Sequence, residues 1–372
     1  MLKNYRLRDF DFKLILMMIS LSVMGCLAIG SAEPSLQNKQ IFGLVVGVMI
    51  MLSIAFFDYS LLLKLYWLMY AANLALLLLV IVMGDEGGGA QRWLEIGSFR
   101  FQPSETAKIL LILFFAQFIM IHRERLNTFK MIAACIILVA IPWALIAKQP
   151  DLSTSIVVLL VFCVVMFAGG ISYKIVCSIL AVAVPAVVIV VYLAIQPGAN
   201  FVNEYLLKGY QNNRIMAFFY PDEYADAGAY QQLNSVMAIG SGQLDGKGYK
   251  NNEITSVKNG NFISAPQTDF IFAVIGEEFG FKGSVAVIIL LFGIALECAS
   301  VARKAKDTAG SIIASGMGGL VAFQGFLNIG VTTFLIPNTG LPLPFVSYGL
   351  TSLWSLYIGM GFVLNVRLQA KR

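Results

Sequence analysis

Few side chains in this sequence can move a proton or hold an anion, and those that can sit in apolar surroundings. Glu105 and Lys108 are three apart ahead of a long apolar run, so on a helix they share a face. Asp151 follows Pro150 in KQPDLS, and Asp269 stands in the apolar stretch TDFIFAVIGEEFGFKG. Burial of this kind raises a carboxylate towards the pKa of a general base. Each residue also has a plainer role. Glu105 and Lys108 would form a partly buried ion pair at a helix start. Asp151 would cap the helix after it, and Asp269 or Thr268 would cap the FIFAVIGEE helix. Glu277 and Glu278 are expected to face lipid headgroups or the rim of a cytoplasm-facing cavity. Arg92, Arg100 and Arg214 either grip a pyrophosphate through their forked guanidinium groups or anchor the chain at an interface beside Trp93 and Phe99. The Gly-rich stretch 86–89 (EGGG) lacks the Lys and Ser/Thr of a P-loop and reads as a flexible turn.

The elements that position these residues follow from composition. Of 372 residues, 58% are hydrophobic and 13% charged. A soluble domain carries roughly 25% charged residues, so the apolar surplus must face lipid. The net charge of +5 comes without a dense basic patch, which excludes a nucleic-acid partner. Cys26, Cys135, Cys163, Cys177 and Cys298 all lie in apolar runs with no CxxC pair, and they read as small apolar packers. The single histidine, His122, excludes a His-built metal site.

A membrane-spanning helix needs about 20 mostly apolar residues. Candidate spans are 12–31, 41–57, 65–83, 105–121, 131–147, 154–169, 175–195, 283–301, 310–334 and 350–366. The chain is thus expected to be an all-α polytopic membrane protein of about ten transmembrane helices, a single domain over 1–372. A large extracytoplasmic loop, about 196–282, would join helices 7 and 8. The basic N-terminal stretch precedes an apolar run too long for a cleaved signal peptide and reads as a retained first helix. Short-loop cations fix the orientation. Lys3, Arg6, Arg8 and Lys13, the Arg123–Lys130 and Arg303–Lys306 groups, and the basic C-terminal end fall on one side. That side is cytoplasmic and holds both termini. TDFIFAVIGEEFGFKG with span 283–301 is too long for one crossing, so an interfacial or re-entrant helix is expected to hold Asp269 at the outer boundary.

Five segments carry a resemblance: RWLEIGSFRFQPSETAKI, QPDLST, YQNNRIMAFFYPDEYADAGAYQQLNSVMAIGSGQLDGKG, TDFIFAVIGEEFGFKG and IPNTGLPLPFVSYG. In this order they resemble the SEDS family (shape, elongation, division and sporulation), over nearly the whole chain and closest to its elongation branch. The resemblance implies a peptidoglycan glycosyltransferase of the bacterial cytoplasmic membrane that polymerises lipid II at the outer face. It implies ten transmembrane helices, a class B penicillin-binding protein as transpeptidase partner, and membrane lipids around it. It matches Asp269 to the family's essential aspartate and Glu105 and Lys108 to the acidic and basic positions of its QPSE-xx-K motif. Asp151 matches the QPD aspartate and Arg214 the arginine before the FxxP segment, and Ser347 falls in the SYG motif. Leu350 stands where the family commonly has a second Gly, Gln243 where it often has Gly, and Ala265 and Gln267 where some members have Glu and His.

On this resemblance an inverting transfer is expected, with Asp269 as general base and a polyprenyl pyrophosphate leaving. Lys108, Arg214 or a divalent cation (Mg²⁺ or Mn²⁺) held by outer carboxylates would offset the leaving group's charge. Two rival readings stay open: a flippase or transporter of a lipid-linked precursor, and a non-catalytic scaffold of the cell-wall machinery.

Overall fold

Backbone groups inside a bilayer must be satisfied by the chain itself, which makes helix the default for apolar runs of this length. The computed structural model describes residues 10–370 except 88–89, 98, 150, 195–208, 225–228, 251–255 and 257–261. Expectations for Lys3, Arg6, Arg8, Gly88, Gly89, Pro150, Lys371 and Arg372, and for parts of 196–282, lie outside the described residues.

The first half holds α1 (Phe12–Ala32), α2 (Pro34–Ala55), α3 (Tyr59–Leu63), α4 (Tyr66–Met83), α5 (Pro103–Ile121), α6 (Phe129–Lys148) and α7 (Leu152–Gly169). The second holds α8 (Tyr173–Ala194), α9 (Gly209–Phe219), α10 (Tyr230–Ser241), α11 (Ile271–Lys304), α12 (Thr308–Thr332) and α13 (Leu350–Leu368). Every expected span is overlain by a long helix, and among the described residues 8 of these helices are long and apolar enough to cross a membrane. Of the two others, α13 carries Thr351, Asn365 and Arg367 along its length, whereas α8 is 22 residues long with Lys174 as its one charge. The second helix begins at Pro34 rather than 41, because proline at the first helical position starts the helix inside a polar stretch.

Burial separates the inner helices from the outer ones. In the most apolar window of α5, 72% is buried, and 61% for α12, against 22% for α4 and α6. The central α12 packs on α11, α7, α5 and α13. Its glycines allow this approach: a Cβ at Gly316 would lie 3.0 Å from Ile112 of α5, and one at Gly318 2.8 Å from Cys298 of α11.

Two features depart from the expected helices and loops. The segment after α4 folds into an antiparallel sheet, in order β1 (Asp85–Gly87), β2 (Ala90–Ile96) and β3 (Phe99–Phe101). Ile96 pairs with Phe99, so the connection is a two-residue hairpin, and Gly97 supplies the positive φ (64°) such a turn requires. At the other end of β2, Gly87 of β1 pairs with Ala90.

The second feature is a break in α11 at Gly280 (φ 62°, ψ −158°). A short helix from Ile271 thus precedes the long one, as the excess length suggested. The loop after α10 stitches the break. Lys247 N–H donates to Glu277 O (2.9 Å), Gly248 N–H to Glu278 O (3.1 Å), and Phe281 N–H to Gln243 O (2.8 Å). The expectation that Glu277 and Glu278 face headgroups or a cavity rim is overturned, since each is 3% exposed. Glu277 pairs with Lys247 at 2.9 Å and Glu278 accepts from Ser31 Oγ. Covering the broken helix brings Lys247 over it and turns both acids inward.

Gly246 tests this contact. Its φ is +82°, and a Cβ there would lie 2.1 Å from Glu278 O. Gly246→Ala should cost about 1–2 kcal/mol from the backbone conformation alone, and more from the clash. A lower melting temperature in detergent is expected; an unchanged one would mean the loop does not seat on the break.

Candidate functional site

Asp269 sits in the turn ahead of α11, outside the spans. Neither it nor Thr268 caps that helix: the cap position is Phe270 with no side-chain bond, and Thr268 Oγ1 donates to Ala265 O (3.0 Å). Among the described residues no hydrogen bond reaches the Asp269 carboxylate. Its side chain keeps some accessible surface, yet protein surrounds it densely. That burial raises its carboxyl above the usual carboxylate range; Arg214 and then Arg92 pull it back, and Asp151 adds to the rise.

The turn is held from three sides. Asn328 of α12, 1% exposed, donates through Nδ2 to Asp269 O (2.8 Å) and to Leu341 O (2.6 Å). Ser347 Oγ donates to Thr268 O (2.6 Å) and accepts from Leu343 N–H (2.8 Å). Tyr348 N–H donates to Gln267 O (2.9 Å). Ser347 therefore fastens the 341–348 segment to the Asp269 turn. Asn328 lies one helical turn beyond Gln324, so the two amides share a face of α12.

Gln324 links this turn to the ion pair. Lys108 Nζ lies 2.8 Å from Glu105 Oε1 and 3.0 Å from Gln324 Oε1, and Gln324 Nε2 donates to Pro342 O (3.0 Å). Glu105 and Lys108 are 3% and 2% exposed, so the pair is buried and acts through Gln324 rather than by direct access. Sequence reasoning overlooked Gln324 and Asn328 because they do not ionise. Their signal was available: two amides four apart inside an apolar run.

Arg214 of α9 donates through Nη1 to Asn338 O (3.1 Å). Gly340 (φ +72°) brings its neighbours together: a Cβ there would lie 3.2 Å from Asp269 Oδ2 and 3.7 Å from Arg214 Nη2. The carboxylate and the guanidinium thus flank one point. Asp151 caps α7 on Thr154 N–H (3.2 Å), and its second oxygen accepts from Ser104 Oγ (3.3 Å) and Gln102 (3.5 Å). Arg92 of β2 donates to Gln149 O (3.4 Å). Arg100 stands apart, pairing with exposed Glu95 at 2.7 Å while 71% exposed itself.

Among the described residues no group of three or more His, Cys, Asp and Glu could hold a metal ion. Asp269 and Asp151 do act on each other electrostatically. One or two carboxylates suffice for a Mg²⁺-type ion that takes its other ligands from water and phosphate.

Breaking a buried pair costs about 3–5 kcal/mol because one charge is left uncompensated. Lys108→Met should therefore lower the melting temperature strongly. Glu105→Gln/Lys108→Met together should recover much of the loss, since the new amide is neutral. Additive effects of the two changes would contradict a coupled pair.

A profile for the cell cycle protein family of FtsW, RodA and SpoVE matches residues 10–372. The chain is 32% identical to the peptidoglycan glycosyltransferase MrdB of Escherichia coli K12, covering 97% of this chain and 94% of that one. It is 29% identical to the peptidoglycan glycosyltransferase RodA of Treponema pallidum, covering 96% and 97%. It superposes on the crystal structure of Thermus thermophilus rod shape determining protein RodA with a TM-score of 0.70, at 26% identity over 98% of both chains. A chain from a peptidoglycan synthase complex, solved for the coordination of polymerization and crosslinking, gives 0.76 at 29% identity over 96% and 97%. The chain belongs to the FtsW/RodA/SpoVE family of cell cycle proteins, the SEDS family to which its motifs pointed.

Proposed function

We propose that this protein is a peptidoglycan glycosyltransferase that polymerises lipid II at the outer face of the bacterial cytoplasmic membrane, in the elongation branch of its family. The observation that carries the reading is the Asp269 carboxylate: unbonded among the described residues, fixed through its backbone, and facing Arg214 across Gly340. Relatives named as peptidoglycan glycosyltransferases match nearly the full chain. The peptidoglycan synthase complex supports a class B penicillin-binding protein as partner. Both termini then lie in the cytoplasm, where the cations gather.

In this mechanism the 4-hydroxyl of the incoming disaccharide attacks C1 of the strand's terminal sugar. The new C1–O bond forms as the bond to the pyrophosphate oxygen breaks. The hydroxyl proton passes to Asp269, and the polyprenyl pyrophosphate leaves with the bonding electrons. The α-linked donor gives a β-linked product, so the step inverts. Arg214 and Arg92, whose charges already act on Asp269, offset charge on the leaving pyrophosphate. Asp151, whose charge reaches Asp269, is the outer carboxylate that would help hold a divalent cation, which would supply further charge compensation for the pyrophosphate and leave Asp269 to the proton. Asn338 and Thr339 immediately precede Gly340, and their buried Oδ1 and Oγ1 atoms have no hydrogen-bond partner among the described residues, which suits them to sugar hydroxyls once substrate enters. Lys108 is sealed in the core, so its part is to position the Pro342 carbonyl through Gln324.

The test is polymerisation of lipid II by purified protein, alone and with its cognate class B penicillin-binding protein, with glycan length read on a gel. Asp269→Asn should insert and melt as wild type yet lose at least about a hundredfold in rate, the lower end of general-base contributions. Wild-type strands from that variant would remove Asp269 from the base role. A base must be deprotonated to act. Because burial raises the Asp269 pKa, the wild-type rate should fall on acidification already above the usual carboxylate range. A rate flat through that range would contradict the assignment. No strands from the wild type with its partner present would favour the flippase or scaffold readings.

A further inference from the structure

The end of the bundle opposite Asp269 holds a polar cleft. It lies where α5, α7 and α11 finish and α12 starts, and has a volume of about 590 Å³. This is within the roughly 300–1,000 Å³ of small-ligand sites. Three cations from separate segments enter it: Arg123 after α5, Arg303 in the last turn of α11, and Lys306 ahead of α12.

The acid beside them is already committed. Asp307 accepts from Gly310 N–H (2.7 Å) as the cap of α12, and both its oxygens accept from Tyr59 Oη (2.9 Å). Lys306 bonds neutral groups, Ser60 Oγ at 3.0 Å, Gln369 and the face of the Tyr59 ring at 4.7 Å, and its charge also acts on Asp58, which accepts from Gln369. Arg123 and Arg303 are exposed, and among the described residues their side chains make no hydrogen bond or ion pair.

Topology bias and the helix dipole account for cations at these helix ends. They do not account for a cleft on which three cations converge with the hydroxyls of Thr308 and Ser311. The rim is apolar. Met120 and Ala168 line the cleft, and their chain neighbours Ile121 and Phe167 are 52% and 64% exposed on membrane-length helices. Basic clefts of this kind between helices suit anionic headgroups.

We propose that this cleft binds the phosphate headgroup of an anionic phospholipid, with the acyl chains running out past Ile121 and Phe167. The site is independent of the glycosyltransferase reading and stands or falls without it.

The test titrates the full-length protein with phosphatidylglycerol, with phosphatidylethanolamine of the same chains, and with inorganic phosphate, counting bound lipid by native mass spectrometry. Phosphatidylglycerol should be held in preference to phosphatidylethanolamine. Arg123→Gln/Arg303→Gln should weaken it about tenfold, through loss of two charge-assisted contacts. Lys64→Gln/Lys130→Gln removes the same charge outside the cleft and should leave affinity within about twofold. All four side chains are exposed, so both double variants should melt as wild type. Equal losses in the two double variants, or equal binding of both lipids, would overturn the site in favour of a generally basic surface. Displacement of the lipid by millimolar phosphate would overturn the lipid assignment in favour of a soluble anion.

Discussion

Two amide side chains on one face of α12 carry the site. Irregular backbone among apolar helices is tolerated only where its carbonyls find donors inside the protein. Gln324 and Asn328 supply those donors to three carbonyls, those of Pro342, Leu341 and Asp269. Two separate loops, the turn before α11 and the segment before α13, are thereby joined to one rigid helix. Apolar residues at 324 and 328 would leave three acceptors unpaired, and the buried one, Leu341 O, would alone cost about 1–3 kcal/mol. The Glu105–Lys108 pair belongs to the same arrangement. Its ammonium is neutralised by the carboxylate and turned towards Gln324, so a buried charge orders an amide that orders a loop.

The Asp269 turn and the Gly280 break bound the same short helical segment of α11. That segment is pinned at its front by Asn328 and Ser347, and behind by the loop through Gly246. A carboxylate held by its backbone while its oxygens stay unbonded is positioned without being neutralised. Arg214, itself tied to Asn338 O, lies on the other side of Gly340. Desolvation and the positive charge of Arg214 set the carboxyl's basicity between opposing effects.

Apolar length made the long helices legible, because each run must bury its own backbone. Positions of charge made Asp269, Asp151, Glu105 and Lys108 legible, because ionisable groups in such surroundings are costly and therefore informative. The sheet was not read, since FRF and RWLEI are short and the all-apolar scale does not register alternation over three residues. The inward place of Glu277 and Glu278 leaves no local pattern, because Lys247 pairs with Glu277 from thirty residues away and Ser31 reaches Glu278 from the far end of the chain. Gln324 and Asn328 were passed over for the reason that makes them effective: neutral amides bond carbonyls without the desolvation penalty of a charge. Arg100 looked equivalent to Arg92 and Arg214 in sequence, yet β3 turns it towards Glu95.

The central claim is that Asp269 acts on the reacting hydroxyl whereas Arg214 acts on the pyrophosphate. Lipid II affinity and the single-turnover rate of the bound complex, measured in parallel for Asp269→Asn and Arg214→Gln, separate the two roles most directly. The account predicts that Asp269→Asn binds lipid II as wild type and fails in turnover, while Arg214→Gln loses affinity along with rate. Loss of affinity in Asp269→Asn matching its loss of rate would contradict the account and make Asp269 a binding residue.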